Sequence, residues 1–233
     1  MGSFQKSTAR EYLESIVIAV ICALFLRTFV VQASKIPTGS MENNLLIGDH
    51  LLVNKFVFGP SETSLERRLL PVRPLRRGDV VVFKFPEQPE RDFIKRVIGL
   101  PGETLEVRDR RVYIDGKPIS EPYAHFLEPR EAPSEGHEVT SFDVRERYGP
   151  VNVPAGHVFV MGDNRDNSED SRYWGFLPQR NIKGLALMVY WSYEFSGEDH
   201  QEAGLLGNAR ALASAAVHFF TGTRWSRLFH QIR

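Results

Sequence analysis

The chain has a single cysteine, Cys22, among its 233 residues, so it can form no internal disulfide. CxxC pairs, an HExxH motif and a glycine-rich phosphate loop are all missing from the sequence, and these are the patterns that predict zinc and nucleotide sites. Lysine and arginine together number 29, as do aspartate and glutamate, and this balance argues against broad binding of nucleic acid. The sequence therefore predicts no metal, no cofactor and no nucleic-acid partner.

A long apolar run is also missing. The longest uninterrupted one, residues 16–26, has 11 residues, whereas a helix that crosses a bilayer needs about 20. Extended to residues 12–31, the segment reaches 20 residues and takes in Glu14 and Arg27. Both charges lie near an end, where their side chains can reach water at the membrane interface. Residues 12–31 are thus a candidate transmembrane anchor.

The same stretch also fits a cleaved signal peptide. Lys6 and Arg10 form a basic start, residues 16–26 have the length of its apolar core, and Val31-Gln32-Ala33 resembles a cleavage site. Two basic residues before the apolar run, against Lys35 after it, favour residues 1–11 in the cytoplasm. On this stretch alone, a retained anchor and a removed signal peptide stay equally open.

Beyond the apolar segment the pattern predicts strands. Short runs rich in β-branched and aromatic residues are separated by Gly, Pro and Asp. They lie at residues 51–53, 80–83, 93–98, 105–107, 112–114, 158–161 and 185–191. Asp115-Gly116 predicts a hairpin turn. Many short strands without interleaved helices indicate a mostly β fold, with antiparallel sheets in a sandwich or barrel-like body. We expect this body at residues 32–195, with 103–156 as a peripheral β excursion.

The last part of the chain, residues 196–233, has a different character. Apolar residues recur at helical spacing between 202 and 220, which predicts a short helical tail. Residues 224–233 are basic and aromatic, and such a segment can lie at a membrane interface. A C-terminal helix packed on the body explains the tail equally well.

Residues 162–172 (GDNRDNSEDSR) are the most distinctive polar run. Asn, Asp and Ser favour turns because their side chains bond the neighbouring backbone. Taken alone, the run predicts a turn-rich loop. It differs from an ordinary loop because it mixes both charge signs densely between two apolar stretches.

Ser40 follows a Thr-Gly pair in IPTGSM, residues 36–41, which predicts an exposed serine on a mobile turn. Most such serines only form turns, and the hydroxyl is a poor nucleophile until a base takes its proton. The chain has seven histidines, none in a convincing local arrangement of Asp, His and Ser. A serine–lysine pair is a known variant of the same chemistry.

Lys95 is the candidate base. Strand alternation over residues 92–99 (DFIKRVIG) gives each face one cation, Lys95 on one and Arg96 on the other, among apolar neighbours. Burial of a charged lysine is costly and lowers its pKa, and a lysine that is neutral near neutral pH can act as a general base. The alternative is that either cation extends to the strand edge and reaches water.

Several segments together resemble bacterial type I signal peptidases, which are serine–lysine proteases. The resemblance extends from the apolar segment to about Tyr193, and the segments follow the order of that family. They are Gly39-Ser40-Met41, residues 48–55 (GDHLLVNK), 77–83 (RGDVVVF), 95–102 (KRVIGLPG), and 162–172 continued by Trp174-Gly175. The last two are the most specific.

The resemblance implies that Ser40 is the acylating nucleophile and Lys95 the general base. The Thr38 hydroxyl and the Ser40 backbone N–H would form an oxyanion hole, which stabilises the charge that develops on the substrate carbonyl. The family usually has serine where this chain has Thr38. After the nucleophile it usually reads Met-x-Pro-Thr-Leu, where this chain has Asn43-Asn44 in place of Pro-Thr.

The resemblance also implies roles around this pair. Ser168 would hold the Lys95 amine in place, while Asp170 and Arg172 would pair and keep the loop shaped. The substrate would add as a strand beside the site. Shallow pockets for its small residues would be lined by apolar side chains, namely Ile36, Met41, Val82, Phe93 and Ile94.

The implied function is removal of signal peptides from secreted preproteins after Ala-X-Ala, through an acyl-enzyme and without a cofactor. The implied location is the bacterial cytoplasmic membrane, with one span at residues 12–31 and the catalytic domain outside. Preprotein signal peptides and the lipid bilayer would be its partners, and we expect a monomer near the secretion machinery. Two alternatives remain: a self-cleaving repressor-type serine–lysine protease inside the cell, and a secreted, non-enzymatic β-domain.

Overall fold

The computed structural model describes residues 8–25, 31–58, 73–127, 143–194 and 221–232. Within these ranges the chain forms one long helix, α1 (Thr8–Phe25), a short helix α2 (Ser171–Trp174), and 3-10 turns at Gly39–Met41, Gln179–Asn181 and Trp225–Arg227. The rest of the regular structure is β: β1 (Val31–Lys35), β2 (Asp49–Asn54), β3 (Val80–Lys84), β4 (Asp92–Gly99), β5 (Thr104–Arg108), β6 (Arg111–Ile114), β7 (Lys117–Pro118), β8 (Arg147–Asn152), β9 (His157–Met161), β10 (Leu177–Pro178), β11 (Ile182–Ser192) and β12 (His230–Gln231).

The strands form two antiparallel sheets. The larger has the order β1-β2-β11-β3-β4-β9-β10, with β12 added to β11, and the smaller has the order β7-β6-β5-β8. Every strand pair in the described ranges is antiparallel. All seven predicted strand segments fall within observed strands. The expectation of a mostly β, antiparallel fold is confirmed.

Strand β3 lies in the middle of the larger sheet and is apolar on both faces. Alternate side chains of a strand point to opposite faces. Val82 packs with Met41 in one core cluster, and Phe83 packs with Val97 in another. Each large apolar side chain buried in this way stabilises the fold by about 1.5–3 kcal/mol. Because both faces are covered, the strand reads as a continuous apolar run in the sequence.

The predicted hairpin turn is present between β6 and β7. Asp115 and Gly116 have φ angles of 50° and 77°, the left-handed pair that a two-residue type I′ turn requires. The register pairs Ile114 with Lys117 directly across the turn. Asp and Gly are the residues that adopt this conformation at low cost.

Helix α1 carries large apolar side chains on its surface. Their exposed fractions lie between 48% and 68%, and they are Tyr12, Leu13, Ile16, Val17, Ile18, Val20 and Ile21. No helix in the described part of the chain is long and apolar enough to cross a membrane. Residues 26–30 of the predicted span lie outside the described residues.

The predicted helical tail is wrong for residues 223–232. The periodic stretch at 202–220 lies outside the described residues, but the chain after it forms a 3-10 turn and then β12. Strand β3 pairs with β11 only as far as Leu185, and β12 pairs with β11 further along, at Met188 and Val189. Unpaired strand groups are strong hydrogen-bonding sites, so this edge of β11 favours an added strand over a helix.

An ion pair ties the end of the chain to the body. Arg227 donates to both carboxylate oxygens of Asp49, at 3.1 and 2.6 Å, and to the Asn44 carbonyl at 2.8 Å. The Asp49 side chain is fully buried. Asp49 also accepts the Leu46 backbone N–H. The tail therefore holds the loop that follows Ser40.

We expect Arg227→Met to destabilise the protein by roughly 3 kcal/mol, since removing one partner leaves the other charge buried and unpaired. Chemical unfolding followed by tryptophan fluorescence measures this. Arg224→Met is the matched control, because Arg224 contacts the Ile47 carbonyl and, at 4.0 Å, the largely exposed Glu194 carboxylate, and its loss should cost less than about 1 kcal/mol. Equal losses in the two variants would contradict the importance of the Arg227–Asp49 pair.

Candidate active site

Ser40 lies in the 3-10 turn Gly39–Met41, between β1 and β2. The expectation of an exposed serine on a mobile turn is wrong, since Ser40 is 7% exposed and the following Met41 is fully buried in the core. Glu42 N–H closes the turn on the Gly39 carbonyl at 3.0 Å, and Leu45 N–H bonds the Met41 carbonyl at 2.8 Å. Packing of Met41 therefore fixes the backbone that carries the Ser40 hydroxyl.

Lys95 meets Ser40 directly. Its Nζ donates to Ser40 Oγ at 2.6 Å, and only 3% of the residue is exposed. Neighbouring Arg96 is 1% exposed, so neither cation reaches water at the strand edge. The structure thus brings together the two residues that the sequence singled out, from positions 55 residues apart.

Burial controls the protonation of Lys95. Removal from water lowers its pKa from 10.5 to about 8, because the charged amine loses hydration. The charges of Asp170, Glu169 and Asp163 oppose this shift, and that of Arg172 adds to it. A substantial fraction of Lys95 is therefore neutral slightly above neutral pH, and a neutral amine can accept a proton from Ser40.

The loop at 162–172 is built around the buried carboxylate of Asp170. Its Oδ2 accepts from the Ser168 hydroxyl at 2.8 Å and from the Gly162 backbone N–H at 3.0 Å. Arg172 donates to the same carboxylate through Nε and a second nitrogen, both at 2.9 Å. Burial would raise the pKa of Asp170, but the hydrogen bonds and charge of Arg172 hold it below its usual value.

Ser168 makes a different contact from the one the resemblance implied. Its hydroxyl donates to Asp170, and within the described ranges it forms no hydrogen bond with the Lys95 amine. The expected direct contact with the Lys95 amine is therefore not made, and a role of Ser168 in positioning Lys95 stays a prediction. Asp170 links the two residues, because it accepts from Ser168 and also acts on the Lys95 charge.

Gly162 shows why the loop begins with glycine. A Cβ at this position would lie 2.2 Å from Ser168 Oγ and 2.5 Å from the Ser40 carbonyl oxygen. No side chain fits there without moving the Ser40 turn or the loop. Reasoning from the sequence missed this role, because turn-rich loops contain glycine for many reasons.

Arg96 and Asp163 form a second buried ion pair that sequence reasoning also missed. Arg96 donates through Nε and a terminal nitrogen to the two oxygens of Asp163, at 2.7 and 2.6 Å. Another nitrogen of Arg96 bonds the Gly78 carbonyl at 2.8 Å. A cation on a buried apolar face needs a partner of opposite charge. The sequence alone does not say which carboxylate is that partner.

A cleft of about 280 Å³ opens beside the Ser40–Lys95 pair. It is lined by residues 34–40 and 91–95, together with Val82, Asn167 and Glu169. Four of the five residues predicted to line the substrate pockets also line this cleft, namely Ile36, Val82, Phe93 and Ile94. Met41 does not, because it is fully buried beneath the turn. The prediction that Met41 lines a substrate pocket is therefore wrong, and its side chain packs in the core.

The two departures from the family pattern lie on either side of Ser40. Thr38 occupies the N-cap position of the turn, where it is exposed, lines the cleft and makes no capping bond through its hydroxyl. Asn43 has a φ of 89°, which the proline ring cannot adopt. Asparagine tolerates this left-handed conformation, so the turn after Ser40 has a backbone that excludes proline.

The chain matches the family model described as signal peptidase, peptidase S26, over residues 9–191. It belongs to this family. A signal peptidase I from Pseudomonas aeruginosa is 37% identical, with 78% of this chain and 72% of that protein covered. For the signal peptidase I of Aquifex aeolicus the identity is 31%, with 90% and 94% covered. The resemblance recognised in the motifs is confirmed.

A relative from Leptolyngbya laminosa, also a signal peptidase I, is 37% identical over 82% of this chain and 84% of its own length. A crystal structure of a signal peptidase I from Enterococcus faecalis is 37% identical and covers 48% of this chain and 97% of its own, with a TM-score of 0.37. Membership of the signal peptidase family therefore rests on the sequence matches. Membership of this family makes the chain a serine peptidase.

Proposed function

We propose that the chain removes signal peptides from secreted preproteins, with Ser40 as nucleophile and Lys95 as general base. The observation that carries this proposal is the 2.6 Å hydrogen bond between a buried lysine amine and a serine hydroxyl at the edge of a cleft. A desolvated, neutral lysine in contact with a serine hydroxyl can act as its base, in the role that histidine has in other serine hydrolases. Family membership supplies the substrate class.

The chemistry proceeds in two halves. Neutral Lys95 takes the proton of Ser40 Oγ while the oxygen attacks the scissile carbonyl carbon, and the resulting ammonium then gives that proton to the leaving amine. An ester joins Ser40 to the signal peptide. In the second half, Lys95 takes a proton from water, which attacks the ester carbonyl, and the proton returns to Ser40 Oγ as the peptide leaves.

The developing oxyanion needs donors that are already in place. We assign this role to the Ser40 backbone N–H and the Thr38 hydroxyl. Thr38 is suited to it because its side chain lies at the cleft and is not used in capping. Fixed donors of this kind stabilise the charged intermediate without reorganising when the reaction occurs.

The cleft suits an extended peptide with small side chains. Residues of β1 and β4 both line it, so a substrate strand in the cleft would lie beside strand backbone, as β-strand addition requires. Ile36, Val82, Phe93 and Ile94 leave little depth, and shallow apolar pockets select by excluding bulk. This supports cleavage after Ala-X-Ala. Ser168, Asp170 and Arg172 support the site by shaping the loop behind Lys95.

In a cleavage assay with a model preprotein, Ser40→Ala and Lys95→Met should abolish activity, because one removes the nucleophile and the other the base. Thr38→Val keeps the shape but loses the hydroxyl, and should lower kcat by about 10²-fold, the usual effect of removing one oxyanion donor. KM should change little. Single-turnover kinetics with detergent-solubilised protein separates these effects.

Ser64→Ala is a suitable control in the same assay because it changes a serine outside the five segments that resemble the family. Circular dichroism of every variant checks that the fold is intact. Normal cleavage by either Ser40→Ala or Lys95→Met would refute the pair, and an unchanged kcat in Thr38→Val would remove that hydroxyl from the oxyanion hole.

The rate of acylation should rise with pH through about 8, since only neutral Lys95 accepts the Ser40 proton and its pKa lies at about 8. The charges acting on Lys95 are those of Asp170, Glu169, Asp163 and Arg172. Glu169→Gln removes a charge that raises the Lys95 pKa, so the midpoint should move to lower pH.

The matched control for this profile is Glu106→Gln, in the smaller sheet, which should leave the midpoint unchanged. Initial rates measured between pH 6 and 10 at saturating substrate give both curves. A rate that falls steadily over this interval would contradict a lysine base.

We further propose that residues 12–31 anchor the enzyme in the bacterial cytoplasmic membrane, with residues 1–11 in the cytoplasm and the catalytic body, 32–195, outside as a monomer. The exposed apolar side chains of α1 support this, as does the position of Ser40 only nine residues after Val31. An anchored serine would meet preproteins that are themselves held at the membrane.

The anchor predicts that the full chain stays with membranes after extraction with alkaline carbonate. N-terminal sequencing of the purified protein provides the second readout, since a retained anchor keeps residues 12–31. Release by carbonate, or a mature chain that starts at Ser34, would contradict a retained span and favour a cleaved signal peptide.

A further inference from the structure

A segment of the peripheral excursion, residues 121–127, packs against the polar loop behind the active site. Its backbone bonds to the loop as a short strand would. His125 N–H donates to the Asp163 carbonyl at 2.7 Å, and Arg165 N–H donates to the His125 carbonyl at 2.9 Å. Leu127 N–H adds a bond to the Asp166 carboxylate at 2.9 Å. We call residues 121–127 the brace.

Two side chains of the brace reach buried arginines. The ring of Tyr123 covers the Arg96 guanidinium, with 4.0 Å between the guanidinium carbon and the ring centroid. Glu121 accepts two hydrogen bonds from Arg165, and the Arg165 side chain is 1% exposed. A guanidinium over an aromatic face is stabilised by attraction to the ring, and more strongly where water is excluded.

Arg96 connects the brace to both reacting residues. It directly follows Lys95 in β4 and holds Asp163 by two hydrogen bonds. Asn164, which follows Asp163 in the chain, donates its backbone N–H to the Ser40 carbonyl at 3.1 Å. Its side-chain amide donates to the Gly39 carbonyl at 3.3 Å. Any shift of Arg96 therefore moves the nucleophile turn and the strand of the base relative to each other.

We propose that Tyr123 is a positioning residue of the peptidase, which fixes Arg96 and thereby sets the distance between Ser40 Oγ and Lys95 Nζ. This inference rests on the proposed roles of Ser40 and Lys95. The hydrogen bonds to Asp163 and Gly78 engage the edges of the Arg96 guanidinium, and the Tyr123 ring covers one of its faces. The excursion thus serves the reaction although none of its described residues, 103–127 and 143–156, lines the cleft.

The inference predicts that ring and hydroxyl of Tyr123 differ in importance. Tyr123→Leu removes the aromatic face and should lower kcat by about 10-fold or more, since small misplacements of reacting groups are costly. KM should stay within about twofold, because the cleft lining is unchanged. Tyr123→Phe keeps the face and should retain the wild-type kcat.

The matched control is Tyr113→Leu. Tyr113 lies under Arg108 in the smaller sheet, with 5.0 Å between the guanidinium carbon and the ring centroid, so this variant removes the same kind of contact away from the site. It should leave kcat unchanged. Burial raises the pKa of Tyr123 to about 12, so the phenol itself does not titrate in an assay between pH 6 and 10.

The experiment compares the full-length wild type, Tyr123→Leu, Tyr123→Phe, Tyr113→Leu and Ser40→Ala in detergent, with single-turnover rates from pH 6 to 10. Tyr123→Leu should also shift the midpoint of the pH profile upward, because a loosened site hydrates Lys95. Thermal unfolding identifies any variant that fails to fold. If Tyr123→Leu fails to fold, Glu121→Gln replaces it in the comparison. This variant weakens the contact between the brace and Arg165, and we expect the same loss of kcat.

Wild-type kcat and pH profile in Tyr123→Leu would overturn the inference, as would equal losses in Tyr123→Phe and Tyr123→Leu. A similar loss in Tyr113→Leu would also overturn it, since the effect would then be one of general stability. Full activity of Ser40→Ala would instead refute the proposed function, so the two failures are distinguishable.

Discussion

The site depends on one constraint: the Lys95 amine must stay out of water while it remains in contact with Ser40 Oγ. Desolvation is the largest influence on its pKa, and three nearby carboxylates act against it. If the buried Asp163 and Asp170 were unpaired, their charges would favour the ammonium form of Lys95 more strongly. The packing that buries Lys95 is therefore part of the chemistry, since it supplies the neutral amine that a serine nucleophile requires.

The polar loop pairs its two buried acids near Lys95, Asp163 and Asp170, with arginines, while Glu169 is exposed to solvent. Asp170 is bound by Arg172 and Asp163 by Arg96, and all four side chains are buried. Each carboxylate can then serve as a rigid acceptor for backbone and hydroxyl groups, while its charge is largely balanced nearby. Buried pairs of this kind contribute little net stability, so their value here lies in fixed geometry.

Much of this could be read from the sequence. The strands were visible because their apolar runs and turn residues are local signals, and the Asp115-Gly116 turn followed from the conformational freedom of two residues. Ser40 and Lys95 were identified from motifs. The partners of Arg96, the reason for Gly162 and the contact made by Ser168 could not be read, since each depends on segments that meet only in the folded chain. The end of the tail was mispredicted because its strand needs the open edge of β11.

The sequence by itself determined the antiparallel β fold, the family and the candidate pair Ser40 and Lys95, because these follow from local pattern and from residue types in a fixed order. Tertiary structure alone decided that Ser40 is buried rather than mobile, that Met41 packs in the core, and that Tyr123 covers Arg96. The physical reason is that burial and hydrogen-bond partners are properties of assembled surfaces. The pKa of Lys95 likewise depends on the neighbours that folding places around it and on the water that folding removes.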